Sequence, residues 1–530
     1  MSTAARLISG SVASWAQIGV TMASQIVLVP IYLNYWSVQT YGIWLALQGI
    51  MSALSMLDLG HQNYMGFEFL KFGRTEMLAL CKSFWSALVI GVLISLTQIV
   101  LMGLFFFTGI LTWLLGASRT EDAQLITDAG IALSLLGVSW LLVMTIPGLI
   151  VRVLAPFGHY PRFAWWGFIY AIISAVAPLI AVTMGGDLLM AAVAFTMGSL
   201  LYTAVLFTDL IKLLRREKIR FIKPSLPLGY SNFIKSLPVL GKSIFENVRQ
   251  QGVRLLLAPL AGPVGLAAFS TMRTGANVAL QGLNTILNPL LPDLMRFLHD
   301  RDQPRSEAAF ATIWIVVVAF MAPGVVILQT FIEPFYIFWT QGKIDFDPQL
   351  FAILSLGVLV YAVVQPAMAV VIGNNLTKTQ FVIAGISAII VFAFLIISVP
   401  IIGILGAAVS LLLAEIVAAV AYKIYAQRWL AENQLIWPRK PFYLAVGSVL
   451  IATVSLTGMI ILPEYEFLIL VLSLVLFIWN LWRYWQVLPI VAIDSAKNMA
   501  MKIPGIKKLF FFLLSRGLPL KNKVYKRYQD

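Results

Sequence analysis

The chain has 530 residues, of which 60% are hydrophobic and 11% are charged. Soluble domains carry about 25% charged residues, so this composition excludes an ordinary soluble protein and predicts a chain that lies mostly within a membrane. The single cysteine, Cys81, excludes an intramolecular disulfide bond and a thiolate metal cluster.

Fourteen apolar segments are long enough to cross a bilayer, which takes about 20 residues. In chain order they are 7–33, 41–66, 83–108, 125–151, 163–184, 187–213, 236–261, 264–292, 309–332, 350–374, 379–400, 405–427, 442–462 and 466–489. The first is too long and too polar for a cleaved signal sequence, so we expect it to be retained as a helix. The predicted fold class is an all-α polytopic membrane protein with about 14 transmembrane helices.

The loops between these segments alternate in charge. Of the 37 Lys and Arg residues, four lie deep within the membrane on predicted helices, and only Arg119 and Lys343 fall in the loops of the acidic side. The other cations share the opposite side. By the positive-inside rule that side, with both termini, is cytoplasmic. The net charge of +14 is therefore explained by membrane orientation, and we expect no nucleic acid as a partner.

A weak internal repeat predicts two lobes. Residues 42–50 align with residues 275–283 at an offset of 233, and Ala-Leu-Gln-Gly is identical in both copies. Six helices separate the copies, as in a parallel two-lobed transporter with a central cavity. The predicted divisions are a six-helix N-terminal lobe, a basic cytoplasmic loop, a six-helix C-terminal lobe, two additional helices and a basic cytoplasmic tail, at 1–215, 216–235, 236–430, 440–490 and 491–530.

No predicted loop is large enough for a catalytic domain. The longest external loops, near 109–124 and 333–349, are short. Gly241-Lys242-Ser243 resembles the end of a P-loop, but Ser236 stands where that motif requires glycine, and no strand precedes it. We therefore expect no enzyme activity, no cofactor and no metal site.

Four cations lie within the seventh and eighth predicted helices: Lys242, Arg249, Arg254 and Arg273. A charged side chain at the bilayer centre costs about 2.5–3.5 kcal/mol even on insertion scales, so these residues predict a polar cavity for an anionic cargo. Other roles remain open. Lys242 could extend to the cytoplasmic surface, Arg249 could pair with Glu246, and Arg254 and Arg273 could hold the lobes together.

Amides and acids complete the candidate site. Asn277, Gln281 and Asn284 follow an i, i+4, i+7 pattern on the eighth helix, which places them on one side where they could contact sugars. Glu246, Glu415 and Asp58 are candidates for ion coupling. Asp58 and Glu415 could equally be neutral or make a structural hydrogen bond, and Glu246 could form a structural ion pair with Arg249.

Several runs of residues resemble bacterial oligosaccharide flippases, the O-antigen translocases of the multidrug/oligosaccharidyl-lipid/polysaccharide exporter superfamily. These runs are Leu33-Asn34-Tyr35, Tyr41-Gly42-Ile43-Trp44, Leu57-Asp58-Leu59-Gly60, Pro289-Leu290-Leu291-Pro292-Asp293-Leu294 and Ile402-Gly403-Ile404-Leu405-Gly406-Ala407-Ala408. The resemblance implies a flippase of the bacterial inner membrane, acting by alternating access in surface polysaccharide assembly. Its cargo would be oligosaccharide linked to undecaprenyl pyrophosphate.

The resemblance also bears on the choice of cargo. Related flippases of the peptidoglycan precursor are expected to use an arginine in helix eight, which Arg273 could match, and arginines in helix one. This chain has only Arg6 there, which argues against that precursor. The alternatives are a cation-coupled multidrug antiporter of the same superfamily and a polymerase of polysaccharide assembly.

The basic C-terminal tail has two interpretations. It could lie on anionic membrane lipids, or it could dock a polysaccharide polymerase or glycosyltransferase.

Overall fold

The structure, a computed structural model, describes residues 3–116, 123–489 and 491–492. Within these ranges it describes every side chain except those of 3–8, 10, 11, 242, 243, 246–251, 278, 279, 281–289, 291 and 292. The predicted basic tail beyond 492 and the external Arg119 therefore lie outside the described residues.

The described residues form sixteen α-helices and no strand. The helices are α1 Thr3–Tyr35, α2 Val38–Phe72, α3 Met77–Phe107, α4 Ile110–Leu115, α5 Ala123–Trp140, α6 Ile146–Val153, α7 Tyr160–Thr183, α8 Leu188–Arg216, α9 Leu226–His299, α10 Gln303–Val316, α11 Ala322–Trp339, α12 Pro348–Gly373, α13 Thr377–Ile402, α14 Ile404–Glu432, α15 Arg439–Ile461 and α16 Glu466–Val487. Two π-helical turns, Leu141–Thr145 and Val317–Met321, join α5 to α6 and α10 to α11.

Thirteen helical stretches in the described part of the chain are long and apolar enough to cross a membrane. The prediction has one more because it divides α9 into two spans. The backbone of α9 leaves helical geometry at Gly262, with φ 74° and ψ 169°, which is the predicted boundary between the seventh and eighth helices. The all-α polytopic fold class is confirmed.

Several helices extend beyond their predicted ends, including α9 and α11. The helix α9 begins at Leu226, so the last ten residues of the predicted cytoplasmic loop are helical. Proline at 227 is compatible with this start, because the first turn of a helix needs no N–H partner there. The helix α11 continues to Trp339 and includes Pro334, which shortens the predicted external loop at 333–349.

The chain divides into two compact units. The first comprises Met1–Gln281, Phe331–Val358 and Thr377–Ala421, and the second comprises Gly282–Thr330, Leu359–Leu376 and Tyr422–Asp530. The predicted division into two six-helix lobes stays a prediction.

The first unit contains a large apolar core between α2, α3, α6 and α8. Phe69, Phe84, Leu149 and Leu210 are fully buried in it. Full burial of one such side chain contributes about 1.5–3 kcal/mol in water, but within lipid the packing itself holds helices together. This core holds α2 in place, and α2 lies against Arg254 in the candidate site.

The second unit is held by polar contacts as well as aromatic packing. The Tyr484 hydroxyl donates to the Ala311 carbonyl at 2.7 Å, and the Trp314 indole donates to the Val363 carbonyl at 2.8 Å. The Asn480 side-chain amide donates to Ser448 Oγ at 2.7 Å. These buried groups are therefore satisfied within the protein, as the absence of water in a bilayer requires.

Candidate functional site

Three of the predicted cargo-binding side chains are described. Arg254, Arg273 and Asn277 lie on α9 and are half-buried, the first before the break at Gly262 and the other two after it. The remaining predicted side chains on α9 lie outside the described residues: Lys242, Glu246, Arg249, Gln281 and Asn284. The proposed grouping of these residues around an anion stays a prediction.

A series of glycines on α2 faces the first part of α9. A Cβ atom at Gly42 would lie 1.9 Å from the Pro263 carbonyl oxygen, and one at Gly60 would lie 2.8 Å from Leu240 Cβ. Between them, a Cβ at Gly49 would meet Arg254 Cβ at 3.4 Å. The partners descend along α9 as the glycines ascend along α2, so the two helices run antiparallel. Small residues let their backbones approach closely.

Arg254 lies in this interface. It is next to Gly49 and within electrostatic reach of Tyr41, which is itself buried. The Arg254 Nε atom is buried, and none of the described residues accepts a hydrogen bond from it. A buried donor without an acceptor costs about 1–3 kcal/mol, more for a charged group. The Nε–H group of Arg254 can therefore still donate a hydrogen bond to an oxyanion.

A cluster of aromatic side chains lies beside Arg254, at the junction of α1 and α2. The ring centroids of Tyr32 and Tyr41 are 5.9 Å apart, and those of Trp36 and Trp44 are 6.1 Å apart. All four residues are buried. The sequence analysis used Tyr41 in a family resemblance and Trp44 in that resemblance and the internal repeat, and it did not predict their position near Arg254. These aromatic residues lie close together in the sequence on either side of Ser37. That closeness was the signal from which the cluster could have been predicted.

The second part of α9 packs on α11 and α12. Thr271 lies two residues before Arg273, and its hydroxyl is hydrogen-bonded to the Tyr336 hydroxyl at 2.8 Å. A Cβ atom at Gly275 would lie 3.7 Å from Phe351 Cε2. These contacts position the half-buried Arg273 and Asn277.

Asp58 is the centre of a buried polar network between α2 and the π-helical turn that ends α5. Asp58 Oδ2 accepts from Gln62 Nε2 at 2.6 Å and from Thr145 Oγ1 at 2.7 Å. Gln62 Oε1 in turn accepts from Arg152 Nη1 at 2.6 Å. Gln62 thus bridges the acid and the arginine, whose charges offset each other without direct contact.

One oxygen of this acid is not used. Asp58 is fully buried, and no described residue donates to its Oδ1. The Trp140 indole N–H approaches the carboxylate but lies outside hydrogen-bond geometry. The other two coupling candidates are less defined: Glu415 is half-buried on α14, and the Glu246 side chain lies outside the described residues. The ion-coupling role of all three acids stays a prediction.

No protein family model and no curated protein matches the chain. Solved structures do. "Lipid II flippase MurJ, inward closed conformation" matches 89% of this chain and 98% of its own, with a TM-score of 0.63 and 16% identity. An inward-facing multidrug resistance MATE family transporter of the MOP superfamily matches 79% of this chain and 95% of its own, with a TM-score of 0.58 and 12% identity. The outward-facing form of a MATE transporter matches 81% and 96%, with a TM-score of 0.53 and 13% identity.

The chain has the fold of these MOP-superfamily transporters. At such low identities the likeness concerns the fold, and function has to be inferred from the site. The thirteen membrane-crossing stretches and this fold make the chain a multi-pass membrane protein.

Proposed function

We propose that the chain flips undecaprenyl-pyrophosphate-linked oligosaccharide from the cytoplasmic to the outer leaflet of the bacterial inner membrane, by alternating access and with both termini in the cytoplasm. The observation that carries the proposal is the buried Nε of Arg254, which no described residue satisfies. An ionisable group inside a membrane-spanning segment marks a functional site by default. Because the chain shares the fold of a flippase, we infer that the Nε–H group of Arg254, which lacks an acceptor, binds the anionic group of a lipid.

The chemistry of the cargo agrees with this residue. A guanidinium group binds phosphate oxygens with two parallel hydrogen bonds, which gives geometry as well as charge. Amide side chains such as Asn277 would contact sugar hydroxyls, and the polyprenyl tail would remain in lipid. Arg273 is the second candidate for the pyrophosphate.

The neighbours suggest two other cargoes. The flippase neighbour carries lipid II, but Arg6 is the only arginine of this chain within helix one, which favours a different lipid-linked saccharide. The multidrug transporters would require acids that face an organic cation. On α2, Asp58 is fully buried and already accepts hydrogen bonds from Gln62 and Thr145, and Glu68 is paired with Lys71, so neither acid of this helix is free to bind an organic cation.

Complementation distinguishes these cargoes. The chain is expressed in a strain without its oligosaccharide flippase, in a strain depleted of its lipid II flippase, and in a drug-sensitive strain. We expect restored surface polysaccharide in the first strain only. Arg254→Ala should abolish this restoration and Arg254→Lys should recover part of it, while Arg215→Ala, which changes an exposed arginine on α8, should have no effect. Growth of the second strain would indicate lipid II as the cargo, and drug resistance in the third strain would indicate drug transport. Either result would contradict the proposed cargo.

A further inference from the structure

A proline in α1 leaves one backbone carbonyl without its helical partner. In an α-helix the carbonyl of residue 26 accepts from the N–H of residue 30, but residue 30 is Pro30, which has no N–H. The Trp339 indole supplies the missing donor: its Nε1 lies 2.5 Å from the Ile26 carbonyl oxygen. Trp339 ends α11 and is buried. A distant residue thus completes the hydrogen bonding of α1.

Lys343 makes a second attachment to the same helix. Its Nζ donates to the carbonyl of Leu33 and, at 3.2 Å, to that of Trp36. These carbonyls lie at the C-terminal end of α1, where free carbonyl groups carry partial negative charge and favour a cation. Lys343 is one of only two cations that the sequence places on the external side. Its contacts give a physical reason for a cation there.

The segment between these two donors is itself well ordered. The Thr340 hydroxyl is fully buried and lies 3.2 Å from the Ile344 carbonyl oxygen. Asp347 caps the next helix, α12, by accepting from the backbone N–H of Leu350 at 3.0 Å. These hydrogen bonds hold the turn that connects α11 to α12, so the positions of Trp339 and Lys343 against α1 are well defined.

We propose that residues 339–343 form an external latch on α1, which keeps the external side of the first unit closed and must release α1 before a cargo can leave outward. The proposal rests on the proposed transport function and on the predicted orientation. The attachment to α1 consists of three hydrogen bonds to backbone carbonyls, and release of α1 requires these bonds to break and re-form. Pro30 keeps the accepting carbonyl of Ile26 available.

The test measures access to α1 from outside, without any cargo. Leu33 is fully buried beside the latch and is replaced by cysteine in a Cys81→Ser background. A membrane-impermeant maleimide is then added to intact spheroplasts. We expect slow labelling with the latch intact, and labelling about tenfold faster in the Trp339→Phe/Lys343→Met variant, a change equivalent to about 1.4 kcal/mol.

Three controls separate a latch from general loosening. Lys343→Arg keeps the charge and should label slowly, and Trp482→Phe, which changes a half-exposed tryptophan on α16, should not change labelling. In a Pro30→Ala background, residue 30 again donates to Ile26, so Trp339→Phe should have a smaller effect. Equal labelling of the latch variant and its parent would overturn the proposal. Faster labelling without complementation of any flippase strain would retain the latch and reject the proposed cargo.

Discussion

Gly42 on α2 and Pro263 on α9 are so close that a Cβ atom at Gly42 would lie 1.9 Å from the Pro263 carbonyl oxygen. A second glycine, Gly116 at the end of α4, approaches the Ala258 carbonyl equally closely and has φ +62°. Both contacts flank the break of α9 at Gly262. The part of the helix that carries Arg254 is thus positioned by backbone-to-backbone packing.

Substitution of Gly42 should therefore destabilise the protein. Gly42→Ala forces the Pro263 backbone to move, and such overpacking costs about 1–3 kcal/mol. The measurement is the thermal unfolding midpoint in detergent. Gly103→Ala on α3 is the matched control, since a Cβ there meets no atom within 4 Å. Equal midpoints for the two variants would contradict the proposed packing.

The buried network around Asp58 should behave as one unit. Asp58→Asn removes the charge that offsets Arg152, and Arg152→Met removes the opposite charge. Each change should lower stability by about 1–3 kcal/mol, because Asp58→Asn weakens the acceptor of Gln62 and Thr145 and Arg152→Met leaves Gln62 Oε1 without its donor. The double variant should lose less than the sum, with a coupling of about 0.5–3 kcal/mol. Ser95→Ala, which removes only the 2.7 Å bond to Thr145, should have the mildest effect. Additive losses would show that Gln62 does not couple the two charges.

In the second unit, the Tyr484 hydroxyl should contribute measurably to stability. Tyr484→Phe leaves the Ala311 carbonyl without its 2.7 Å donor, which should cost about 1 kcal/mol. Tyr443→Phe, at a 60% exposed tyrosine on α15, serves as the control. A loss no larger than that of the control would exclude this role of the hydroxyl.

The membrane potential should assist the proposed transport. Outward movement of negative charge is favourable in an inside-negative cell, by about 2.3 kcal/mol per charge per 100 mV. Flipping by proteoliposomes should accelerate when a potassium diffusion potential is imposed with this sign and slow when the sign is reversed. A rate that does not depend on the potential would mean that the cargo crosses as a neutral species.

The fold class was predictable from the sequence because the length and apolarity of a membrane helix are local properties. The helix break at Gly262 was equally predictable, since glycine followed by Pro263 marks a break in an apolar helix. The start of α9 at Leu226 was missed because polar residues outside the bilayer can be helical without an apolar pattern.

The candidate site was less predictable. The sequence identified Arg254 as an unusual charge, but its position against Gly49 and the aromatic cluster depends on how α2 packs on α9. Periodicity does not specify such pairing. The partners of Asp58 were missed for the same reason: Thr145 and Arg152 are far from it in sequence and come close only through the π-helical turn.

The most direct measurement is the affinity of the purified protein for undecaprenyl pyrophosphate, compared with its affinity for the uncharged alcohol undecaprenol. The proposed site predicts tighter binding of the pyrophosphate by the unmodified chain. In Arg254→Ala this preference should fall by about tenfold or more, the equivalent of one charge-assisted hydrogen bond, while Arg215→Ala should retain it. An unchanged preference in Arg254→Ala would contradict the assignment of Arg254 as the residue that binds the anionic lipid.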